Sequence, residues 1–381
     1  MATLSPEAQR RFAIELVRRL REAGFQAYWA GGCVRDRLMG RIPKDYDVAT
    51  DARPEQVRRL FGYRRTIAVG AAFGVIAVIG PKEAGQVEVV TFRHDDSYSD
   101  GRHPDHVTFS SPAEDAARRD FTINGLFYDP LDERVLDFVG GQEDLARGQI
   151  RAIGDPHQRF QEDKLRLLRA VRFAAVFQFD VEPNTLEAVA RMAPQITVVS
   201  AERIAAEMER MLADRHRGRA VRLLLQTGLA AAVLPEIVAD DEAGQARQDA
   251  ALAVLDRLGD AKFPLALATL LHRSADAEGL EAICRRWRLS NHQTNRATWL
   301  VEHQAALREA RAMPWSKLQP LLISEGIADL LVMEEAMALA DSRPIDHVAW
   351  CRSLVTQPPE TLNPPPLVTG DDLVRHGVPP G

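Results

Sequence analysis

The sequence predicts an α+β protein, with a mixed-sheet head at its N-terminal end and an all-helical remainder. Up to about residue 140, short strand-like segments alternate with helical ones. From about Gln142 onward, apolar residues recur at the three-and-four spacing that is typical of helices. The 381 residues are enough for two or three domains. We expect a head over residues 1–141, a helical neck over 142–212, a helical body over 213–300 and a helical tail over 301–381.

The elements of the head follow from local patterns. An amphipathic helix is predicted at the start of the chain, before the first strand. The predicted strands are AYWA, DYDVAT, GVIAVIG and QVEVVTF. The predicted helices are RPEQVRRLF and SPAEDAARR, and the second has the capping-box pattern of Ser111, Pro112 and Glu114. The segment RVLDFVGG ends the region in which strand-like and helical segments alternate.

Composition and charge exclude several classes of protein. No apolar run is long enough to cross a membrane, and the three cysteines are too few and too far apart for a disulfide framework or a cysteine metal cluster. We therefore predict a cytoplasmic location and no membrane partner. The net charge is −6, but residues 147–222 carry fourteen Arg or Lys against ten Asp or Glu. This local excess suits a partner that carries phosphate, and solvated helix faces explain it equally well.

Asp45 and Asp47 are the candidate catalytic and metal-binding residues. On a strand, residues i and i+2 point to the same face. Two carboxylates on one face can hold a pair of hard cations, which activate an attacking hydroxyl and stabilise a departing pyrophosphate; Mg²⁺ prefers such oxygen ligands. An Asp-x-Asp pair alone is weakly specific, because a solvated turn often contains one.

Two glycines precede this pair. Gly31 and Gly32 lie between the predicted strand AYWA and the helical segment CVRDRLM. A strand–glycine–helix junction presents free backbone N–H groups to an anion, and Arg35, one turn into the helix, would add a charge-assisted contact to a triphosphate. An ordinary tight turn is the alternative interpretation.

Three separated blocks carry a resemblance to one family. GGCVRDRLMGRIPKDYDVAT resembles the signature of the class II CCA tRNA nucleotidyltransferases and the bacterial poly(A) polymerases. RRDFTINGLFYDP and EDKLRLLRAVRFAAVFQFDVEPNT agree as well, so the resemblance covers about residues 24–235. It implies a polymerase-beta-like nucleotidyltransferase head that uses Mg²⁺ and acts on ATP, CTP and the tRNA 3′ end. The first block matches the family pattern at Gly31, Gly32, Val34, Arg35, Asp36, Asp45 and Asp47.

The third block contains charged residues at every third position of a predicted helix. These are Asp163, Arg166, Arg169 and Arg172. An aspartate accepts hydrogen bonds and an arginine donates a planar fork, so together they can recognise the Watson–Crick edge of a base. The resemblance implies that Asp163 and Arg166 act as a protein template for CTP and ATP, with Arg169 and Arg172 supporting base or phosphate. An amphipathic helix with salt bridges is the alternative.

Further site residues come from the resemblance. It implies that Arg119 contacts the triphosphate, while Asp120 and Asn124 order the sugar or the neighbouring loop; for Asp120, helix-end capping beside a buried Phe121 is the alternative. Glu88, on the strand QVEVVTF, is a third candidate metal ligand or else a strand-face charge.

Two segments are predicted to be irregular. The polar stretch 93–110 predicts a mobile loop, and in the family a loop here is associated with AMP addition. The proline-rich end predicts a tail that lies over the body. Related chains usually run on into another helix, so we expect this tail to be a shortened one.

We expect CCA addition to tRNA by template-independent nucleotidyl transfer. An A-adding enzyme and a poly(A) polymerase share the head motifs and are the nearest alternatives. A non-catalytic RNA-binding protein is a more distant alternative, which intact Asp45, Asp47 and Arg35 disfavour.

Overall fold

The computed structural model describes residues 5–70, 73–95, 107–364 and 374–377. Contacts between Cα atoms divide the chain into two compact units, one of residues 1–200 with 223–232 and the other of residues 201–222 with 233–381. The mixed-sheet head and the helical remainder confirm the predicted α+β class. The finer division into neck, body and tail stays a prediction.

The first unit is built on a seven-stranded mixed sheet. The strands of the chain are β1 (Ala27–Ala30), β2 (Asp47–Thr50), β3 (Thr66–Gly70), β4 (Val75–Ile79), β5 (Gln86–Thr91), β6 (Arg93–Asp95), β7 (Val107–Phe109), β8 (Leu126–Asp129), β9 (Arg134–Asp137), β10 (Gln149–Ile150) and β11 (Asp180–Val181). The sheet has the order β3-β4-β5-β2-β1-β8-β9, and β2 and β5 are its parallel pair. The pairs β6–β7 and β10–β11 are separate two-stranded ribbons.

Helices precede, interrupt and follow this sheet. They are α1 (Pro6–Glu22), α2 (Gly32–Leu38), α3 (Pro54–Phe61), α4 (Pro112–Ala117), α5 (Gly141–Arg147), α6 (Pro156–Glu162), α7 (Leu165–Phe177), α8 (Pro183–Met192), α9 (Ala201–Leu212), α10 (Arg217–Gln226), α11 (Leu229–Val233), α12 (Glu242–Arg257), α13 (Phe263–Leu271), α14 (Ala277–Arg286), α15 (Asn291–His303), α16 (Trp315–Leu322), α17 (Ile327–Ala340), α18 (Asp346–Val355) and α19 (Pro359–Leu362).

The two faces of the sheet belong to different hydrophobic clusters. Val48 lies in the cluster that contains the buried side of α1, whereas Ala49 lies in the cluster that contains Phe92 and Phe127. Because successive side chains of a strand point to opposite faces, Asp47 shares the face of Ala49. The face away from α1 is therefore the one that carries the candidate catalytic carboxylate.

Most of the predicted elements of the head are confirmed. The four predicted strands correspond to β1, β2, β4 and β5, and the two predicted helices correspond to α3 and α4. The capping box is present, because the Ser111 side chain accepts from the Glu114 N–H while the Glu114 carboxylate accepts from the Ser111 N–H. The sequence analysis missed β8, whose four residues are all buried.

Two predicted elements are wrong in their limits. The strand predicted over DYDVAT begins only at Asp47, and Asp45 lies in the segment before it. The helix predicted over EDKLRLLRAVRF is broken: α6 ends at Glu162, and Asp163 has an extended backbone (φ −148°, ψ 106°). The Asp163 carboxylate accepts from the Leu165 N–H at 3.0 Å, which stabilises the start of α7 and explains the break.

Two predicted segments cannot be compared in full. The loop predicted over 93–110 is wrong at its two ends, which form the antiparallel strands β6 and β7, and its residues 96–106 lie outside the described part of the chain. In the predicted tail, residues 365–373 and 378–381 lie outside it as well.

The second unit is helical and has its own core. Every residue of α13 is buried, and the neighbours of this helix include α12 and α15. Arg217 is also buried here and donates to the carbonyls of Leu212, Leu258 and Gly259 at 2.8, 2.7 and 3.0 Å. Across the described residues, no helix combines the length and the apolar character that a membrane span needs.

Candidate active site

The turn between β1 and α2 requires a glycine at its first position. Gly31 has φ +72° and ψ −128°, a backbone conformation that side chains with a Cβ rarely adopt. A Cβ added there would also lie 2.7 Å from a terminal nitrogen of Arg119. The turn therefore brings a guanidinium directly against the backbone that opens α2.

Asp45 and Asp47 lie at the start of β2, and Glu88 on the neighbouring strand is near enough for its charge to act on Asp47. Asp47 pairs in parallel register with Glu88 on β5, so their side chains lie on the same face of the sheet. Asp45, two residues earlier, is exposed, as is Glu88, whereas Asp47 is partly buried. Burial and then the negative charges of Asp45 and Glu88 raise the pKa of Asp47 to about 6, against the opposing effect of Arg119. The site thus carries more negative charge than its protein neighbours neutralise.

Arg119 is oriented by a buried carboxylate on α4. Asp115 is 1% exposed and accepts from Nε and Nη2 of Arg119 at 3.1 and 2.9 Å, and from Arg118 as well. Burial opposes ionisation of Asp115, but the two arginines overcome it and lower its pKa. The remaining terminal nitrogen of Arg119 points to the Asn124 carbonyl at 3.4 Å, beside Gly31. Arg119 is therefore held as a fixed cation next to the carboxylates.

A chain of buried polar groups joins α2 to α7. Arg35 donates to Oδ1 of Asn124 at 2.6 Å, the Asn124 amide donates to Asp120 at 3.0 Å, and Arg169 donates to Asp120 at 2.8 Å. Burial opposes ionisation of Asp120, but Arg169 and the hydrogen bond from Asn124 hold its pKa well below its usual range. The chain links the helix that follows Gly31 to the helix that carries the predicted base-recognising residues.

The position of Arg35 differs from the one expected for a group that contacts a triphosphate. It is 8% exposed, donates to Asp36 as well as to Asn124, and lies over the rings of Phe173 and Phe177 at 5.4 and 4.5 Å. Its guanidinium is thus committed to partners inside the protein. The predicted triphosphate contact stays a prediction that would require exchange of one of these partners.

Arg166, Arg169 and Arg172 lie on α7, but Asp163 is not on that helix. Arg166 is anchored by an ion pair with Glu162 and donates to the Arg159 carbonyl at 2.8 Å. Arg172 lies over the Phe173 ring at 4.1 Å. The prediction of four charged residues on one helix is therefore wrong for Asp163, which precedes Arg166 on the segment that joins α6 to α7.

Comparison with known proteins identifies the family of the chain. Residues 27–151 match the family described as the poly(A) polymerase head domain, and residues 178–240 match the one described as "Probable RNA and SrmB-binding site of polymerase A". The CCA-adding enzyme of Geobacillus kaustophilus is 36% identical over 97% of this chain and 88% of its own length. The chain belongs to the CCA-adding enzyme family.

Other members support the assignment. The CCA-adding enzyme of Bacillus subtilis is 46% identical over 218 residues, which are 57% of this chain and 54% of that one. The crystal structure of the Bacillus stearothermophilus CCA-adding enzyme in complex with CTP superposes with a TM-score of 0.78 at 30% identity, covering 98% of this chain and 89% of that one. Membership of the CCA-adding enzyme family therefore extends over both units of the chain.

The structure shows two residues near the site that the sequence analysis did not select. Asp115 orients Arg119, and Arg159 donates to the carbonyls of Ala117 and Arg118 while pairing with Glu162. A signal existed for Asp115, which is four residues before Arg119 on a predicted helix, the spacing of an ion pair. Nothing in the sequence indicated that Arg159 contacts the end of α4, because that contact joins residues about forty positions apart.

Proposed function

We propose that this chain adds C, C and A to the 3′ end of tRNA, using CTP and ATP and no nucleic-acid template. The observation that carries the proposal is the carboxylate pair Asp45 and Asp47, set beside Arg119 in the head of a CCA-adding enzyme family member. CTP in the related Bacillus stearothermophilus structure supports the nucleotide class.

In the proposed reaction, the terminal hydroxyl of the RNA attacks the α-phosphate of the nucleotide. A new phosphodiester bond forms, the bond to the β-phosphate breaks, and pyrophosphate leaves. Arg119 is proposed to bind the triphosphate; its position against the Gly31–Gly32 turn supports this, and its ion pair with Asp115 limits its motion. Asp45 and Asp47 supply negative charge where the hydroxyl must lose its proton.

The carboxylates suit Mg²⁺, which the sequence predicts as the cofactor. Hard oxygen donors are present, and the raised pKa of Asp47 indicates charge that a bound cation would neutralise. Among the residues the structure describes, no three His, Cys, Asp or Glu side chains form a metal-binding group, so Asp45 and Asp47 would hold the ion with substrate and water completing its shell. When bound, Mg²⁺ would lower the pKa of the attacking hydroxyl and offset charge on the pyrophosphate, with a pair of ions as the proposed number.

Nucleotide selection is proposed to rest on Asp163 and Arg166, with Arg169 and Arg172 in support. The ion pair with Glu162 restrains Arg166, so the orientation of the Arg166 guanidinium is set before a base binds. Asp120 and Asn124 are proposed to position this helix relative to α2 rather than to contact the base. We also propose a cytoplasmic location, which the three unpaired, buried cysteines support.

Nucleotide transfer to tRNA tests the catalytic assignment. Purified protein is incubated with tRNA ending at the discriminator base, at C or at CC, with CTP and ATP supplied singly and together. The parent chain is expected to add C to the first two and A to the third. The variants Asp45→Asn and Asp47→Asn are expected to lose at least about a thousandfold in rate, as enzymes do when a group that stabilises the transition state is removed.

The matched control is Glu83→Gln, an exposed carboxylate on the turn between β4 and β5 of the same sheet. It is expected to keep the parent rate. Transfer that survives in Asp47→Asn contradicts the catalytic assignment, and a parent that adds A but never C identifies an A-adding enzyme or a poly(A) polymerase.

Base selection is tested separately. Asp163→Ala and Arg166→Ala are expected to change the ratio of CMP to AMP incorporation more than the total rate, with the exposed Arg191→Ala on α8 as control. An unchanged ratio in both variants rules out the protein template.

A further inference from the structure

A cavity of about 680 Å³ lies beside the segment that joins α2 to β2. Residues of the N-terminal part of α1 form one wall, and Tyr46 contributes to the lining. Tyr46 belongs to the cluster packed with α1, so the cavity lies on the face of the sheet opposite Asp47. The proposed reaction makes no use of it.

The cavity carries an excess of positive charge. Three arginines, Arg10, Arg37 and Arg41, line it together with a single acidic residue, Glu7. Arg37 donates to the Tyr128 hydroxyl at 2.9 Å, but none of the three arginines forms an ion pair within the described residues. On a chain with net charge −6, such a concentration of cations in one concave site is a feature that favours an anion.

The same cavity has an apolar side. Ile42 is 77% exposed, and Pro6 and Pro43 also line the cavity. Arg41, which lines the cavity, also lies over the Phe177 ring at 5.2 Å. A ligand that fits must therefore combine anionic groups with a less polar body.

We propose that this cavity binds a nucleoside polyphosphate, at a second site distinct from the proposed reaction site. Phosphate oxygens would contact Arg10, Arg37 and Arg41, and the nucleoside would lie against Ile42 and Pro43. The volume is in the range of small-molecule pockets, roughly 300–1,000 Å³. A single concave group of cations suits one small ligand better than an RNA strand, whose backbone needs an extended basic track.

Occupancy of the site would stabilise the segment that carries Asp45. Pro43 and Tyr46 both line the cavity and flank Asp45 in sequence. A bound ligand that touches them would therefore reduce motion of the segment before β2. Any effect of the bound ligand on turnover rests on the proposed function, whereas the binding of the ligand to the cavity does not.

Equilibrium dialysis of the full chain with radiolabelled ATP and Mg²⁺ tests the proposal. The parent is expected to bind two ATP per chain, and Arg10→Gln/Arg41→Gln is expected to bind one, with affinity at the second site reduced at least tenfold. Both arginines are exposed, so folding is expected to be retained and is checked by the thermal midpoint. The control Arg11→Gln/Arg18→Gln removes the same charge from exposed positions on α1 outside the cavity and is expected to keep two.

A second double variant separates this site from the reaction site. Asp163→Ala/Arg166→Ala is expected to lose the other ATP and to keep the one that depends on Arg10 and Arg41. If it keeps both, nucleotide selection by those residues fails while the cavity assignment stands. One ATP per parent chain, or two in Arg10→Gln/Arg41→Gln, overturns the cavity assignment. If Arg10→Gln/Arg41→Gln binds as many ATP molecules as the parent but binds tRNA more weakly, the cavity assignment is also overturned and the cavity is assigned to RNA.

Discussion

Asp47→Asn is expected to make the metal-free protein more stable above pH 6 while abolishing nucleotide transfer. The carboxylate is partly buried and close to Asp45 and Glu88, which together raise its pKa from an ordinary 3.8 to about 6. Ionised Asp47 is therefore unfavourable in the folded state. Asparagine has a similar shape and carries no charge, so it removes the repulsion without leaving a cavity.

The magnitude follows from the size of the shift. Two pKa units correspond to about 3 kcal/mol, because each unit is about 1.4 kcal/mol. Screening by solvent and the residual cost of burying an amide reduce this, so a gain of about 1–2 kcal/mol is expected.

The sign depends on pH. Between about pH 4 and pH 6 the folded state keeps a proton that the unfolded state has released, so the stability of the parent falls as pH rises through this window. Asparagine does not titrate. The advantage of Asp47→Asn should therefore be near zero below about pH 4, grow through the window and stay constant above pH 6.

Hydrogen exchange of β1 and β2 in EDTA, from pH 5 to pH 8, measures the local free energy of opening. Glu83→Gln serves as the control and should show no such pH dependence. Added Mg²⁺ should stabilise the parent and have little effect on Asp47→Asn, because an ion that binds only the folded state shifts the equilibrium toward it. A variant that is no more stable than the parent at pH 8, or a difference that does not change with pH, would refute the reasoning.

Three further substitutions are expected to destabilise the protein. Gly31→Ala should cost about 1–3 kcal/mol and displace Arg119, seen as a lower thermal midpoint and weaker triphosphate binding; unchanged binding would contradict the role of the turn. Asp120→Asn should cost about 3–5 kcal/mol in urea unfolding at pH 7 because it leaves Arg169 without its charged partner. Since the pKa of Asp120 is lowered in the fold from an ordinary 3.8, this loss should stay constant down to about pH 4 and shrink only as pH falls below 4, and a loss that does not shrink there would argue against the ion pair. Arg217→Met should cost about 3 kcal/mol in unfolding of the second unit, because buried carbonyls lose their donor; a loss under about 1 kcal/mol would mean that they find others.

The local patterns in the sequence were sufficient for several features of the head. Short strand-like runs bounded by turn residues predicted β1, β2, β4 and β5, because both signals are carried by neighbouring residues. The capping box at Ser111 was predictable because its partners are three residues apart. The family was predictable because its motifs are short and keep their order along the chain.

Features that depend on distant partners were not predictable in the same way. Glu88 was a candidate from the sequence, but the parallel pairing of β2 and β5 and the register that sets Glu88 opposite Asp47 were not predictable, because that pairing joins residues about forty positions apart. Arg35 looked like a phosphate ligand from its place one turn into α2, but Asn124, Phe173 and Phe177 surround it in the fold. Asp163 looked helical because three-residue spacing does not reveal an extended backbone.

The sequence by itself determined the family, several of the strands and helices in the head, and the residue types able to bind phosphate and metal, since all of these are carried by neighbouring residues. Only the tertiary structure decided which charged groups face each other. It placed Arg119 against Gly31, joined Asp120 to Arg169, and left Arg10, Arg37 and Arg41 around a cavity behind the catalytic segment. The reason is physical: the pKa and partner of a charged group depend on burial and on distances of a few ångströms, which the folded chain sets and sequence separation does not.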